Sequence, residues 1–261
     1  MVRSAFLMAA FLAATGCSAV VSGSSEEADA QSTSVTGVVV VDRTVSDESS
    51  HGEASARFVR LRGAIDNGAL RLVGAGLDLP PVGECSAVRD GTSSRSVELL
   101  DVGAISIESE SGQRVALAQR QVPDVVDLVS GSVYSARIDE TTVPSGADVA
   151  VLVGGSTDVP AFSVRAKTPE APSAVRLALD GSGGDLRWNA GGDRSRDAIY
   201  VDVGGTRCSF ADDGHAVIPA SALGEEGSLS VHRVRREKLS IPGLDGGEVR
   251  FDFARTIAYR R

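Results

Sequence analysis

The sequence is poor in the residues that most often carry chemistry. It holds three cysteines, three histidines, two methionines and one tryptophan in 261 residues. A metal site wants several His or Cys ligands at short spacing. His51, His215 and His232 are scattered along the chain, and no two cysteines form a paired motif. No metal and no other cofactor is expected. Aromatic residues make up 4% of the chain, too few for a broad surface that stacks rings on sugar faces. Lysine is nearly missing, since arginine outnumbers it 24 to 2, a bias that reads as base composition of the genome. A Gly-x-Ser-x-Gly elbow, an HExxH pair and a phosphate-cradling glycine loop are all absent. Gly181-Ser182-Gly183 does not lead into a helix, and Glu108/Glu110 and Glu225/Glu226 read as ordinary solvated carboxylates. No catalytic residue is identified, and the chain reads as a non-enzyme.

Positive charge is short as well: the net charge is −9. An acidic body excludes nucleic acid as a partner, because phosphates need a basic surface. It also excludes electrostatic docking onto anionic lipid.

Long apolar runs are missing too. The longest, Ala5 to Ala14, is half of the ~20 residues that a membrane helix needs. It does fit the core of an export signal, with Arg3 before it and small residues after it. The run closes on Ala14-Thr15-Gly16-Cys17. Here the chain resembles bacterial lipoproteins. Leu is the commoner residue where this sequence has Ala14. The resemblance implies a diacylglyceryl group on the Cys17 thiol and cleavage just before it, so that residues 1–16 are a signal peptide. It implies a membrane partner held through lipid alone, in the bacterial cell envelope. Ser18, in place of the Asp that favours inner-membrane retention, implies the outer membrane where there is one. Losing Arg3 takes the net charge from −9 to −10. With Cys17 lipidated, Cys85 and Cys208 remain. They can form a disulfide, which export permits and which would pin the front half to the back half. They can equally stay as two buried thiols.

The rest of the chain reads as all-β. Residues 17–35 are a lipidated cysteine and a polar, disordered tether with no apolar pattern. Such a tether spans roughly 20–25 Å. Order is expected from Thr36. Val38 to Val41 reads as a strand buried on both sides, Asp47 to Glu53 as a polar loop, and Ser96–Val102 and Ala104–Glu108 as neighbouring strands. Short strands at regular spacing up to Lys167 predict one β-sandwich over 36–167. Thr168-Pro169-Glu170-Ala171-Pro172 reads as a stiff linker, 168–172. The remainder, 173–261, has the size and rhythm of about seven strands and resembles an immunoglobulin-like or fibronectin type III-like sandwich. Trp188 sits on an early strand, and Gly204-Gly205 makes a tight hairpin. Val249, Phe251, Phe253, Ile257 and Tyr259 share one parity, with Arg255 as the exception.

Three further features invite a function. Asp180-Gly-Ser-Gly-Gly-Asp185 and Asp212-Asp213-Gly214 lack the ligand ladder of a calcium loop and read as β-turns. His232 to Lys238 is the one basic cluster, either an exposed strand face or a contact for an acidic partner or phosphate. The expected role is a lipid-anchored binding or scaffolding module of the cell envelope. The alternatives are a ligand-binding protein or enzyme whose site is assembled between the two halves, and a subunit of an envelope assembly.

Overall fold

The computed structural model describes residues 33–62, 71, 76–88, 97–125, 129–191 and 193–261. The expected signal peptide, Cys17 and the tether up to residue 32 lie outside them. The first strand, β1 (Thr33–Val45), starts within the last residues of the expected tether. Its alternation explains its place. Val39 and Val41 enter one core, while Val38 and Val40 enter a smaller cluster on the other face, with Val59, Leu61, Val97 and Leu99. A strand buried on both faces belongs in the middle of a sheet. β1 lies there, antiparallel to β2 (Ser50–Arg62) and parallel to the last strand, β16 (Gly246–Arg260).

The turn after β1 covers only 46–49, so His51, Gly52 and Glu53 are strand residues rather than loop. After β2 the chain reaches β3 (Cys85–Ala87) and then β4 (Val97–Leu99), which pairs with β2. The sequence reads β4 and β5 (Ile105–Ser109) as neighbours, but they do not pair. β5 pairs instead with β6 (Arg114–Val125) and β8 (Asp148–Val153). β6 bends through a register shift between Val122 and Val125, around Pro123, and also pairs with β7 (Val129–Ile138). β9 (Phe162–Lys167) closes the series beside β8. Two layers thus face each other over a first core that includes Phe58, Ile105, Ile107, Tyr134 and Val151.

The second half begins with β10 (Arg176–Asp180) and β11 (Gly183–Arg187), which join β14 (His215–Pro219) in a three-stranded sheet. Opposite lie β13 (Thr206–Phe210), β12 (Asp197–Val203), β15 (Glu226–Lys238) and β16, in that order. These sandwich-like sheets are consistent with an immunoglobulin-like fold. Leu186, Trp188, Ile199, Val201, Ile218 and Val231 fill the second core. Gly204 and Gly205 both have positive φ (56° and 76°), which the twisted two-residue turn between β12 and β13 requires. Pro219 leads into a single 3₁₀ turn, Ala220–Ala222.

Packing crosses the expected boundary between the halves. Val249, Phe251 and Phe253 of β16 belong to the first core, and Ile257 and Tyr259 of the same strand pack on the second. One parity therefore serves two cores in succession. The segment 168–172, read from the sequence as a stiff linker, is packed against its surroundings, with Thr168, Pro169 and Pro172 buried. Thr168 Oγ1 donates to the Pro144 carbonyl at 2.7 Å.

Candidate functional site

Three polar groupings stand out on this scaffold. The first is the joint. The run from His232 to Lys238 is not a basic surface. Alternation along β15 turns Arg233 and Arg235 inward, where their side chains are 1% and 4% exposed. Arg233 meets the buried carboxylate of Asp212 with two nitrogens, at 2.8 and 3.0 Å. Two more of its N–H groups donate to the carbonyls of Glu170 and Asn189, both at 2.8 Å. Asp212 also accepts from Trp188 Nε1 at 2.8 Å and from the Gly191 N–H at 2.9 Å. Burial alone would raise the Asp212 pKa. The hydrogen bonds from Arg233 and Trp188 outweigh burial and hold the carboxyl below its usual range. Gly191 is required here, because a Cβ on it would lie 2.5 Å from Asp212 Oδ2. Arg235 grips Asp197 with two nitrogens and reaches the Lys167 carbonyl. The two arginines therefore fasten the 167–170 segment to β15. Arg236 and Glu237 are paired as well, with Glu248 and Arg196. Asp212 is thus not an ordinary turn residue, whereas Asp180 is one: its carboxylate accepts from the Ser182 and Gly183 N–H groups.

The second grouping is a polar row across the outer face of the shared sheet. Register places Tyr200 opposite His232, and Asp252, Asp42 and Glu53 opposite one another on β16, β1 and β2. The phenol of buried Tyr200 donates to Asp252 Oδ2. His232 Nδ1 lies 2.8 Å from Asp252 Oδ1, and its ring stacks on Tyr200 with centroids 4.2 Å apart. Arg207 covers the Tyr200 ring at 4.4 Å and grips Asp202 with two nitrogens. Asp42 is flanked by two carboxylates, the arrangement that disfavours ionisation across strands. The protein crowded round it, and then the Asp252 charge, push its pKa up to about 6, against the pull of Arg250 and His232. Its side chain is still reachable from solvent. Ser230 and Thr256, on the same face, bond to each other at 2.7 Å.

The third grouping is the sulfur pair. The structure joins Cys85 and Cys208 across 123 residues. Cys208 is buried on β13, while β3 is an exposed strand at the edge of the large sheet. The chain between β2 and β4 thus reaches the far edge of the second half before it returns. Of the remaining histidines, His51 is exposed on β2, and His215 lies 2.8 Å from Asp185 at the surface. The sequence marks Asp212 only as a turn residue and singles out neither Asp42 nor Tyr200, because their partners are on strands distant in sequence. No family model matches this chain, and no curated protein does.

Proposed function

We propose that this chain is a lipid-anchored bacterial envelope protein that binds or scaffolds and carries out no catalysis. The carrying observation is the short apolar block that closes on Ala14-Thr15-Gly16-Cys17. Cys17 is the lipidated first residue of the mature protein, at the outer membrane in a two-membrane cell. The lipid supplies the membrane affinity that a net charge of −9 denies the surface. The place of β1 supports this reading. The residues after Cys17 feed into a strand bonded on both sides, from Thr36 opposite Gly246 to Val45 opposite Arg255 on one of them. A pull along that strand loads many hydrogen bonds together, which suits a body held by its amino-terminal end. The arginine clamps at the joint support a scaffold of fixed geometry.

The test is the intact mass of the protein purified from membranes of the native host. A mature chain beginning at Cys17 with added diacylglyceryl and acyl mass is expected. Cys17→Ala should move the protein out of the membrane fraction. A free Cys17 thiol, or an unchanged membrane fraction for the variant, defeats the proposal.

A further inference from the structure

β16 outlasts its neighbour. β1 ends at Val45, opposite Arg255, yet β16 continues to Arg260, paired over its last residues with β15 alone. Among the described residues no strand lies on its other side from Thr256 to Arg260. The backbone register says which groups point there. Leu239 N–H donates to the Gly247 carbonyl, and Arg261 N–H to the Glu225 carbonyl. Antiparallel pairs alternate between bonded and non-bonded. The odd-numbered residues of β16 therefore turn their backbone groups toward β15. Ala258 and Arg260 turn theirs to the open side, as does the Thr256 carbonyl, while the Thr256 N–H faces Val45, the last β1 residue paired there.

That open edge borders a groove of about 750 Å³ that runs to β10, itself an edge strand. Half-buried Leu177, Leu179, Ile257 and Tyr259 form its apolar walls. Arg176, Arg260 and Arg261 line its rim with one carboxylate, Asp47, which is tied to Arg255. Glu226 also reaches Arg260, but both are exposed, and such a pair has little weight. In a chain of net charge −9, this is a local excess of positive charge.

We infer that this groove takes an extended acidic peptide segment of another protein, added as a strand to β16 at Thr256–Arg260. Main-chain hydrogen bonds to the Thr256 carbonyl and to Ala258 and Arg260 supply the hold. Alternate apolar side chains enter the groove, and carboxylates meet the arginine rim. The inference rests on the binding role proposed above, though not on the lipid.

The probe is a blocked decapeptide alternating valine and glutamate, titrated into the purified full-length protein in detergent and followed by fluorescence anisotropy. A lysine-for-glutamate peptide is the control. Binding of the acidic peptide, at least tenfold tighter than the control, is expected. Ala258→Pro removes an open-side N–H without touching the β15 ladder and should weaken binding tenfold or more. Arg176→Glu/Arg260→Glu, a surface pair of changes, should do the same in a protein with an unchanged melting curve. No acidic-peptide binding, equal binding of the two peptides, or binding that survives both variants overturns the inference. So does a dimer in sedimentation that Ala258→Pro dissolves, since a second copy would then be the occupant. The mass of Cys17 is read independently, so failure here leaves the anchor standing or falling by itself.

Discussion

Asp42 stands directly between Asp252 and Glu53 on neighbouring strands. Its pKa rises from 3.8 to about 6, through the surrounding protein first and the Asp252 charge second. The folded state therefore holds this proton at pH values where the unfolded chain has lost it. Stability contributed here is full below about pH 3.8 and falls as pH rises to about 6, after which the loss is constant. Asp42→Asn removes the titration while keeping the shape. The variant should melt with the wild type near pH 3.5 and above it at pH 7, with the gap opening between pH 4 and 6. Thermal melts across that range test this, and a gap that does not change with pH counts against it. Because Asp42 is reachable by solvent, the gap should be modest and should shrink in salt.

At the scale of the element, β3 is the most lightly held strand of the large sheet. It has three residues, all exposed, and the bond from Cys85 to Cys208 secures it. Around it, Ser209 N–H donates to the Glu84 carbonyl and Gly83 N–H to the Ser209 carbonyl. The bond closes a long loop, and loop entropy makes such a closure worth about 4–5 kcal/mol. Replacing both cysteines by serine should release β3 locally. The Ser209 amide should then exchange with solvent at least tenfold faster, while amides of β13 that face β12 stay protected. Hydrogen exchange read residue by residue checks it, and unchanged Ser209 protection would show that β3 does not need the sulfur.

What the sequence could tell about these elements was orientation, and what it could not tell was partnership. The parity of Val249, Phe251, Phe253, Ile257 and Tyr259 marks an inward face, and the structure has that face. Parity does not say that the face passes from one core to another. Nor does it place β1 beside β16, since that pairing joins opposite ends of the chain. Arg233 and Arg235 read as solvated because local charge was visible and their partners were not. Asp212 is 21 residues away and Asp197 is 38. The row of Tyr200, His232, Asp252 and Asp42 was hidden for the same reason: four strands bring it together.

At the scale of the whole molecule, the shared strand decides how the protein comes apart. Two sandwiches joined by a free linker would melt in two steps. Here the first core takes Val249, Phe251 and Phe253 from a strand that also seals the second, and Arg233 ties the joint to Asp212. The two cores should unfold in one transition. Asp212→Ala strands the Arg233 guanidinium in the interior, and breaking a buried pair from one side costs about 3–5 kcal/mol. Although Asp212 lies in the second half, the variant should lower the melting of the whole protein as one curve. Near-ultraviolet dichroism of Trp188, which sits in the second core alone, should move together with far-ultraviolet dichroism, which sees both halves. A fragment ending at residue 172 should fail to fold, because its core lacks the β16 phenylalanines. Two separated transitions, or a folded fragment, would mean that β16 binds the halves together without making either depend on the other.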